Sequence, residues 1–174
     1  MLFINKTILI TGGTGSFGSS TIEKLIRKKV KKVIVFSRDE KKQHDLRLQF
    51  KGNENVNFFI GDVRDFDSLD KAFKNVDFIF HAAALKQVPT AEIFPLEALK
   101  TNALGAENVI KAAIKNNIKK IVFLSTDKAV SPINAMGMTK AIMEKIILSN
   151  AMVLQQNKSK LQLCITRYVN VLGS

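Results

Sequence analysis

Short apolar runs and stretches of helical period alternate along the chain, and the alternation predicts both the elements and their arrangement. Thr7-Ile8-Leu9-Ile10 reads as a buried strand, Ser19 to Lys29 places Ile22, Leu25 and Ile26 on one helical face, and Val33-Ile34-Val35-Phe36 reads as a second strand. Asp39 to Phe50 is expected to be a helix, Val56 to Ile60 a strand, Asp65 to Lys74 a helix opened by a capping carboxylate, and Asp77 to Phe80 a fourth strand. Pro95 to Asn116 reads as one helix with proline at a favourable early position, Ile121 to Leu124 as a fifth strand, Met138 to Gln156 as a long helix and Leu161 to Thr166 as a sixth strand. Continuous apolar strands separated by amphipathic helices predict a parallel sheet covered on both faces, because each crossover must run over the sheet. The expected fold class is α/β, a doubly wound parallel sheet forming one domain over residues 1–174, with Pro89, Pro95 and Pro132 at element boundaries.

Composition narrows the class. At 174 residues and 46% hydrophobic the chain can bury an ordinary core, which excludes disorder as its main state. No apolar run approaches the ~18 residues that span a bilayer, and Met1-Leu2-Phe3-Ile4 is shorter than the ~7–15-residue core of a signal peptide. A soluble, cytoplasmic protein without membrane contact is expected. One cysteine, Cys164, allows neither an internal disulfide nor a multi-cysteine metal site, and its neighbours Leu163 and Ile165 suggest core packing. No metal is expected.

The balance of 27 Lys and Arg against 15 Asp and Glu gives +12 and invites a nucleic-acid reading, since basic surfaces gain affinity from counterion release. Yet 22 of the 27 are Lys, the bias an AT-rich coding sequence gives, and one Tyr with no Trp offers no aromatic platform. The densest run, Lys24 to Lys32, spans a helix end and a loop, where cations suit the helix dipole. From Lys111 onward ten basic residues face only Asp127 and Glu144, a bias that suits any anionic ligand, including a nucleotide.

Three segments carry chemistry. The first strand runs into Thr11-Gly12-Gly13-Thr14-Gly15-Ser16-Phe17-Gly18, which supplies a tight turn, a close backbone approach to a pyrophosphate and a helix whose first amides receive the phosphates. After the second strand come Ser37 and Arg38, with Lys41 and Lys42 close behind. A cation there suits a 2′-phosphate, so NADP is expected ahead of NAD; the alternative is a surface pair of Arg38 with Asp39 or Glu40. The fifth strand ends in Ser125-Thr126-Asp127-Lys128, and Met136 precedes Lys140 by four residues. An acid and an amine at a strand's carboxyl end could move protons if the amine is desolvated or near another cation; the alternative is a surface ion pair.

Together these segments resemble the extended short-chain dehydrogenase/reductases, in the branch of UDP-N-acetylglucosamine 4,6-dehydratases of bacterial surface-polysaccharide synthesis, built on a Rossmann-type domain. The resemblance is carried by residues 11–18, by Phe36-Ser37-Arg38-Asp39-Glu40-Lys41-Lys42-Gln43, by Gly61-Asp62-Val63-Arg64-Asp65, by His81-Ala82-Ala83-Ala84-Leu85-Lys86-Gln87-Val88-Pro89 and by Ser125-Thr126-Asp127-Lys128-Ala129-Val130. The Met136-Gly137-Met138 variant with Met143-Glu144-Lys145 is similar to the 5-epimerising dehydratases of capsule and O-antigen synthesis. The resemblance implies that hydride leaves sugar C4 for a bound nicotinamide, water leaves C6, and the hydride returns to C6. It makes Asp127 the acid at C6, Lys128 the base at C5, Thr126 a partner of the C4 oxygen, and Lys140 the holder of the nicotinamide ribose. It sets Asp62 and Val63 at adenine, Ala82, Ala83 and Ala84 along the cofactor, Lys86 near cofactor or substrate phosphates, and Asn170 near substrate.

Two departures stand out. The superfamily places Tyr where this chain has Met136, which accepts no proton, so Asp127, Lys128 or a relayed water is the expected base at C4. The segment Arg167-Tyr168-Val169-Asn170-Val171 carries Val169 in place of the family's Gly, and family chains continue past it into a substrate-binding portion. The length therefore fits the cofactor half of a longer architecture. The expected partner is UDP-N-acetylglucosamine or a similar UDP-sugar, in a homo-oligomer or with a separate C-terminal half. The alternatives are a related nucleotide-sugar epimerase and an NADP-binding fragment without catalysis.

Overall fold

Strands apolar on both faces need cover on both faces, and the crossovers supply it. In the computed structural model, which describes residues 3–169, strands β1 (Thr7–Thr11), β2 (Lys32–Ser37), β3 (Val56–Ile60), β4 (Phe78–His81), β5 (Lys120–Thr126) and β6 (Gln162–Tyr168) form one all-parallel sheet in the order β3-β2-β1-β4-β5-β6. Helices α1 (Ser16–Arg27), α2 (Glu40–Gln49), α3 (Phe66–Ala72), α4 (Val88–Ile93), α5 (Pro95–Leu99), α6 (Gly105–Lys115) and α7 (Ala135–Gln156) make the connections. The fold class is the doubly wound α/β sheet. Its strand order reverses between β1 and β4, where open α/β sheets form their ligand crevice. Register aligns the carboxyl ends there: Thr11 pairs with Phe36 and His81, and His81 with Phe123.

Alternation along each strand divides the core. Ile8, Ile10, Val33 and Val35 pack with Ile22 and Leu25 of α1 and Leu46 of α2 on one face. Leu9, Ile79, Ile121 and Phe123 pack with Phe73, Val109, Ile110 and Met143 on the other. None of the helices among the described residues is long and apolar enough to cross a membrane.

Four expectations shift. Helix α1 starts at Ser16, three residues before the expected Ser19, because Gly15 is already the extended cap residue and Ser16-Phe17-Gly18 are helical. The helix expected over Pro95 to Asn116 does run without a break from Pro95 to Lys115, but it contains an unforeseen π-helical turn, Lys100–Leu104, between α5 and α6, and the unforeseen α4 precedes it with Pro89 in its first turn. The buried Asn102 side chain holds the π turn: it accepts from the Leu85 amide (2.8 Å) and donates to the Leu85 carbonyl (3.0 Å) and Thr139 Oγ1 (3.0 Å). Helix α7 starts at Ala135 rather than Met138, since Asn134 caps it by accepting from the Gly137 amide at 2.8 Å. Cys164 is half-buried rather than in the core, because β6 is an edge strand.

Leu9 is fully buried on a strand flanked by β2 and β4. Leu9→Ala is expected to cost about 2–5 kcal/mol, read as a lower urea midpoint with an unchanged slope.

Candidate functional site

The site begins where β1 turns into α1. Gly12 has φ +66°, and a Cβ there would lie 2.7 Å from the Ala83 nitrogen and 2.9 Å from the Ala82 carbonyl carbon, so this turn lies directly against the chain leaving β4. A Cβ on Gly18 would lie 2.1 Å from the Gly13 carbonyl oxygen, which draws α1 tightly onto the turn. The amino terminus of α1 has no side-chain cap and no carboxylate in its first turn. Its free amides open into a cleft of about 1130 Å³ at the strand ends.

Most of the residues singled out in the sequence line this cleft. The turn contributes Gly12 and residues 14–17, the exit of β2 contributes Ser37, Arg38 and Lys42, and the exit of β3 contributes Asp62 and Val63. From β4 come residues 82–84 and Lys86, and from β5 and α7 come Thr126, Lys128 and Lys140. Gly18 is buried beneath the turn and Asp127 stands outside the lining. Asn170 lies outside the described residues. A smaller depression of about 580 Å³ lies on α6 and α7 around Glu107, Ile142 and Lys145, away from the strand ends.

On the β2 side, Ser37 Oγ is 3.0 Å from Thr14 Oγ1 and accepts from the Asp39 amide. Arg38 pairs with neither Asp39 nor Glu40; its Nη1 lies 3.4 Å from Asp62 Oδ2, reaching from β2 to the exit of β3. Asp39 caps α2 through the Lys42 amide and pairs with the Lys42 ammonium at 3.5 Å. Asp62 also accepts from Arg64 Nη2 at 2.7 Å and Nε at 2.9 Å. Partial burial opposes its ionisation, but the Arg64 hydrogen bonds win and hold its carboxyl below the usual range.

On the β5 side, Thr126 Oγ1 donates to Asp127 Oδ1 at 2.8 Å, and Lys128 Nζ lies 3.3 Å from the same oxygen. The Thr126 hydroxyl, aided by Lys128, holds the Asp127 carboxyl low, so it is an ionised acceptor and can act as an acid only after taking a proton. Lys128 is 42% exposed, so the desolvated amine of the cleft is Lys140 instead. Its Nζ donates to the Leu124 carbonyl at 2.9 Å, and burial pushes it down to about 8 despite the opposing pull of Glu144. Met136 is 5% exposed and packs with Ala91 and Ala98, a core side chain in the cleft wall.

Other groups went unread in the sequence. Thr101, on the π turn, lines the cleft with its buried hydroxyl unpartnered among the described residues, and nothing in Lys-Thr-Asn-Ala signals this. His81 is fully buried, its Nδ1 2.8 Å from Thr11 Oγ1, its ring edge-on to Phe123 and its Nε2 without a partner among the described residues. Burial, then the nearby Lys140 charge, pushes the imidazole down to about 3. Tyr168 reaches back across the cleft mouth to Phe17, ring centroids 6.3 Å apart. Among the described residues no three His, Cys, Asp or Glu side chains converge as metal ligands.

Comparison with known proteins adds a second line. A family model described as "Polysaccharide biosynthesis protein" matches residues 8–174. The UDP-glucose 4-epimerase of Rickettsia akari (strain Hartford) is 51% identical over 99% of this chain and 51% of its own length. The X-ray structure of Pen from Bacillus thuringiensis superposes with a TM-score of 0.96 at 41% identity, covering 100% of this chain and 53% of that one. The UDP-N-acetylglucosamine 4-epimerase from Methanobrevibacter ruminantium M1, in complex with UDP-N-acetylmuramic acid, gives a TM-score of 0.81 at 26% identity, covering 98% of this chain and 57% of that one. The chain spans about half the length of the curated relatives it matches.

The His81 imidazole stays neutral in the folded state down to about 3, whereas an unfolded one takes its proton near 6.5. The unfolded state therefore binds more protons across that window, and stability falls as pH drops through it. His81→Asn is expected to flatten the dependence of urea-unfolding free energy on pH there by about one proton.

Proposed function

Since the chain belongs to the polysaccharide biosynthesis protein family, among nucleotide-sugar epimerases and dehydratases of the extended short-chain dehydrogenase/reductase type, we propose that it is the dinucleotide-binding part of a UDP-sugar 4-epimerase. One observation carries this reading: the uncapped, carboxylate-free amino terminus of α1 faces the buried Lys140 across the cleft at the β1/β4 switch point. The Gly12 approach leaves room for backbone and none for a side chain, which suits a pyrophosphate laid on the α1 amides. A nicotinamide dinucleotide, when bound, supplies a hydride acceptor that is regenerated within one turnover.

The residues divide into holders and proton carriers. The amides of residues 14–17 hold pyrophosphate, Asp62 and Val63 flank adenine, and Lys140 donates to the nicotinamide ribose. Arg38 and Lys42 favour a 2′-phosphate and hence NADP over NAD. On the sugar side the Thr126 hydroxyl, whose own proton goes to Asp127, accepts from the C4 hydroxyl, and Lys86 stands by the phosphates of the UDP-sugar. With methionine at position 136, the ionised Asp127, which stands outside the cleft lining, takes the C4 hydroxyl proton through the Thr126 hydroxyl that bonds it. The names of the relatives support C4 inversion.

A second reading, 4,6-dehydration of UDP-N-acetylglucosamine with C5 inversion, is favoured by the adjacent Asp127 and Lys128, an acid and an amine 3.3 Å apart beyond Thr126. The two readings share oxidation at C4 and diverge in product. Incubation with UDP-N-acetylglucosamine or UDP-glucose and NADP in deuterated water, followed by proton NMR, separates them. A C4-inverted sugar is expected, and a 4-keto-6-deoxy product with deuterium at C5 selects dehydration. Dinucleotide binding without any product selects a non-catalytic binding module.

Two variants sharpen the assignment. Arg38→Ala is expected to weaken NADP binding about tenfold, ~1.4 kcal/mol, while NAD binding changes little; an unchanged ratio removes the 2′-phosphate role. Asp127→Asn is expected to lower turnover roughly 10²–10⁴-fold with the dinucleotide dissociation constant unchanged.

A further inference from the structure

Helix α7 carries two buried charges one turn apart, Lys140 and Glu144, each 6% exposed. Opposite charges at this spacing ordinarily meet across the turn, and burial strengthens the attraction. Here Lys140 Nζ donates to the Leu124 carbonyl at 2.9 Å, with the Met143 sulfur at 3.7 Å. Glu144 is taken from the other side: Oε1 accepts from Ser125 Oγ at 2.6 Å and Arg167 Nε at 3.0 Å, and Oε2 accepts from Arg167 Nη2 at 2.7 Å. Ser125 and Arg167 are register partners on β5 and β6, so the sheet presents both donors to one carboxylate.

We propose that Arg167 and Ser125 are positioning residues that occupy the Glu144 carboxylate and keep it from capturing Lys140, so that the buried ammonium stays beneath the cleft and available to the nucleotide. The inference rests on the reading of the cleft as a dinucleotide site. Bidentate geometry gives Arg167 the larger part, because a guanidinium fork satisfies both oxygens at once. With Arg167 removed, Glu144 keeps a single donor, and the nearest cation able to complete its shell is the ammonium on its own helix.

The charged and titratable groups around Lys140 are Glu144 on α7, His81 at the end of β4, Arg167 on β6 through Glu144, and Lys128 in the same cleft lining, with Asp127 outside that lining and paired to Lys128. His81 and Asp127 both titrate far below the range in which Lys140 does.

The test is an NMR titration of the full chain labelled in its lysine side chains, with the Lys140 signal assigned by its loss in Lys140→Arg, alongside NADP binding. The wild-type signal is expected to titrate near about 8. Arg167→Gln should move the midpoint roughly one pH unit higher, as expected for an opposite charge brought into contact, and weaken NADP several-fold. Glu144→Gln should move it lower, and Arg167→Gln/Glu144→Gln should undo the rise and restore binding. Ser125→Ala should act as Arg167→Gln does, to a smaller extent, and it carries the test if Arg167→Gln does not fold. An unmoved Lys140 midpoint in folded variants, or shifts of the same sign in Arg167→Gln and Glu144→Gln, overturns the proposal. Absence of both NADP and NAD binding in the wild type overturns the dinucleotide reading instead, and the lysine titration still judges the positioning role.

Discussion

Gly12 brings the main chain leaving β1 against the main chain leaving β4, with room for no atom of a side chain between them. That contact lies at the place where the strand order reverses, so it fixes how deep the floor of the cleft sits between two diverging halves of the sheet. The second close approach, of Gly18 on Gly13, draws α1 down onto the same turn. The two contacts aim the free amides of α1 along the floor. A bulkier residue at either point would lift the helix off the sheet, and every group beyond it, from Ser37 to Lys140, would face a differently shaped space.

Charge around this floor is arranged by depth. Surface pairs such as Lys111 with Glu107 and Lys42 with Asp39 stay solvated and add little to stability. Beneath the cleft the groups are few and each is constrained: His81 neutral against Thr11, Lys140 on a backbone carbonyl, Glu144 between Ser125 and Arg167. There an unmet partner costs far more than at the surface, because water cannot make up the loss. The net +12 of the chain is therefore a poor guide to its chemistry. A handful of buried groups decides what the cleft can hold.

Much of this architecture was legible because it rests on local pattern. Six apolar runs became six parallel strands, and the glycine spacing gave the turn its place between strand and helix. What escaped the sequence depends on partners distant along the chain. Arg38 finds Asp62 rather than its neighbours Asp39 and Glu40, because parallel pairing of β2 with β3 brings the two strand exits together. Asn102 breaks the regular period of a helix for the sake of Leu85 and Thr139, contacts that no helical pattern encodes. Lys128 looked like the amine to desolvate, and Lys140 took that role because α7 lies along β5 while the loop after β5 stays open.

The π turn between α5 and α6 also resets rotational phase. An α-helix advances about 100° per residue, so one extra residue in a turn swings everything after it to a new face. Before the turn, Ala98 points toward Ala91 and Met136; after it, Ala106, Val109 and Ile110 point toward the sheet. One run of helix thereby serves two neighbours that a straight helix could not address in sequence. Removing one residue from Lys100–Leu104 would turn Asn102 away from Leu85 or α6 away from the sheet. A single-residue gap at this point in an alignment would therefore mark a rewired helix, whereas the same gap in a surface loop would be neutral.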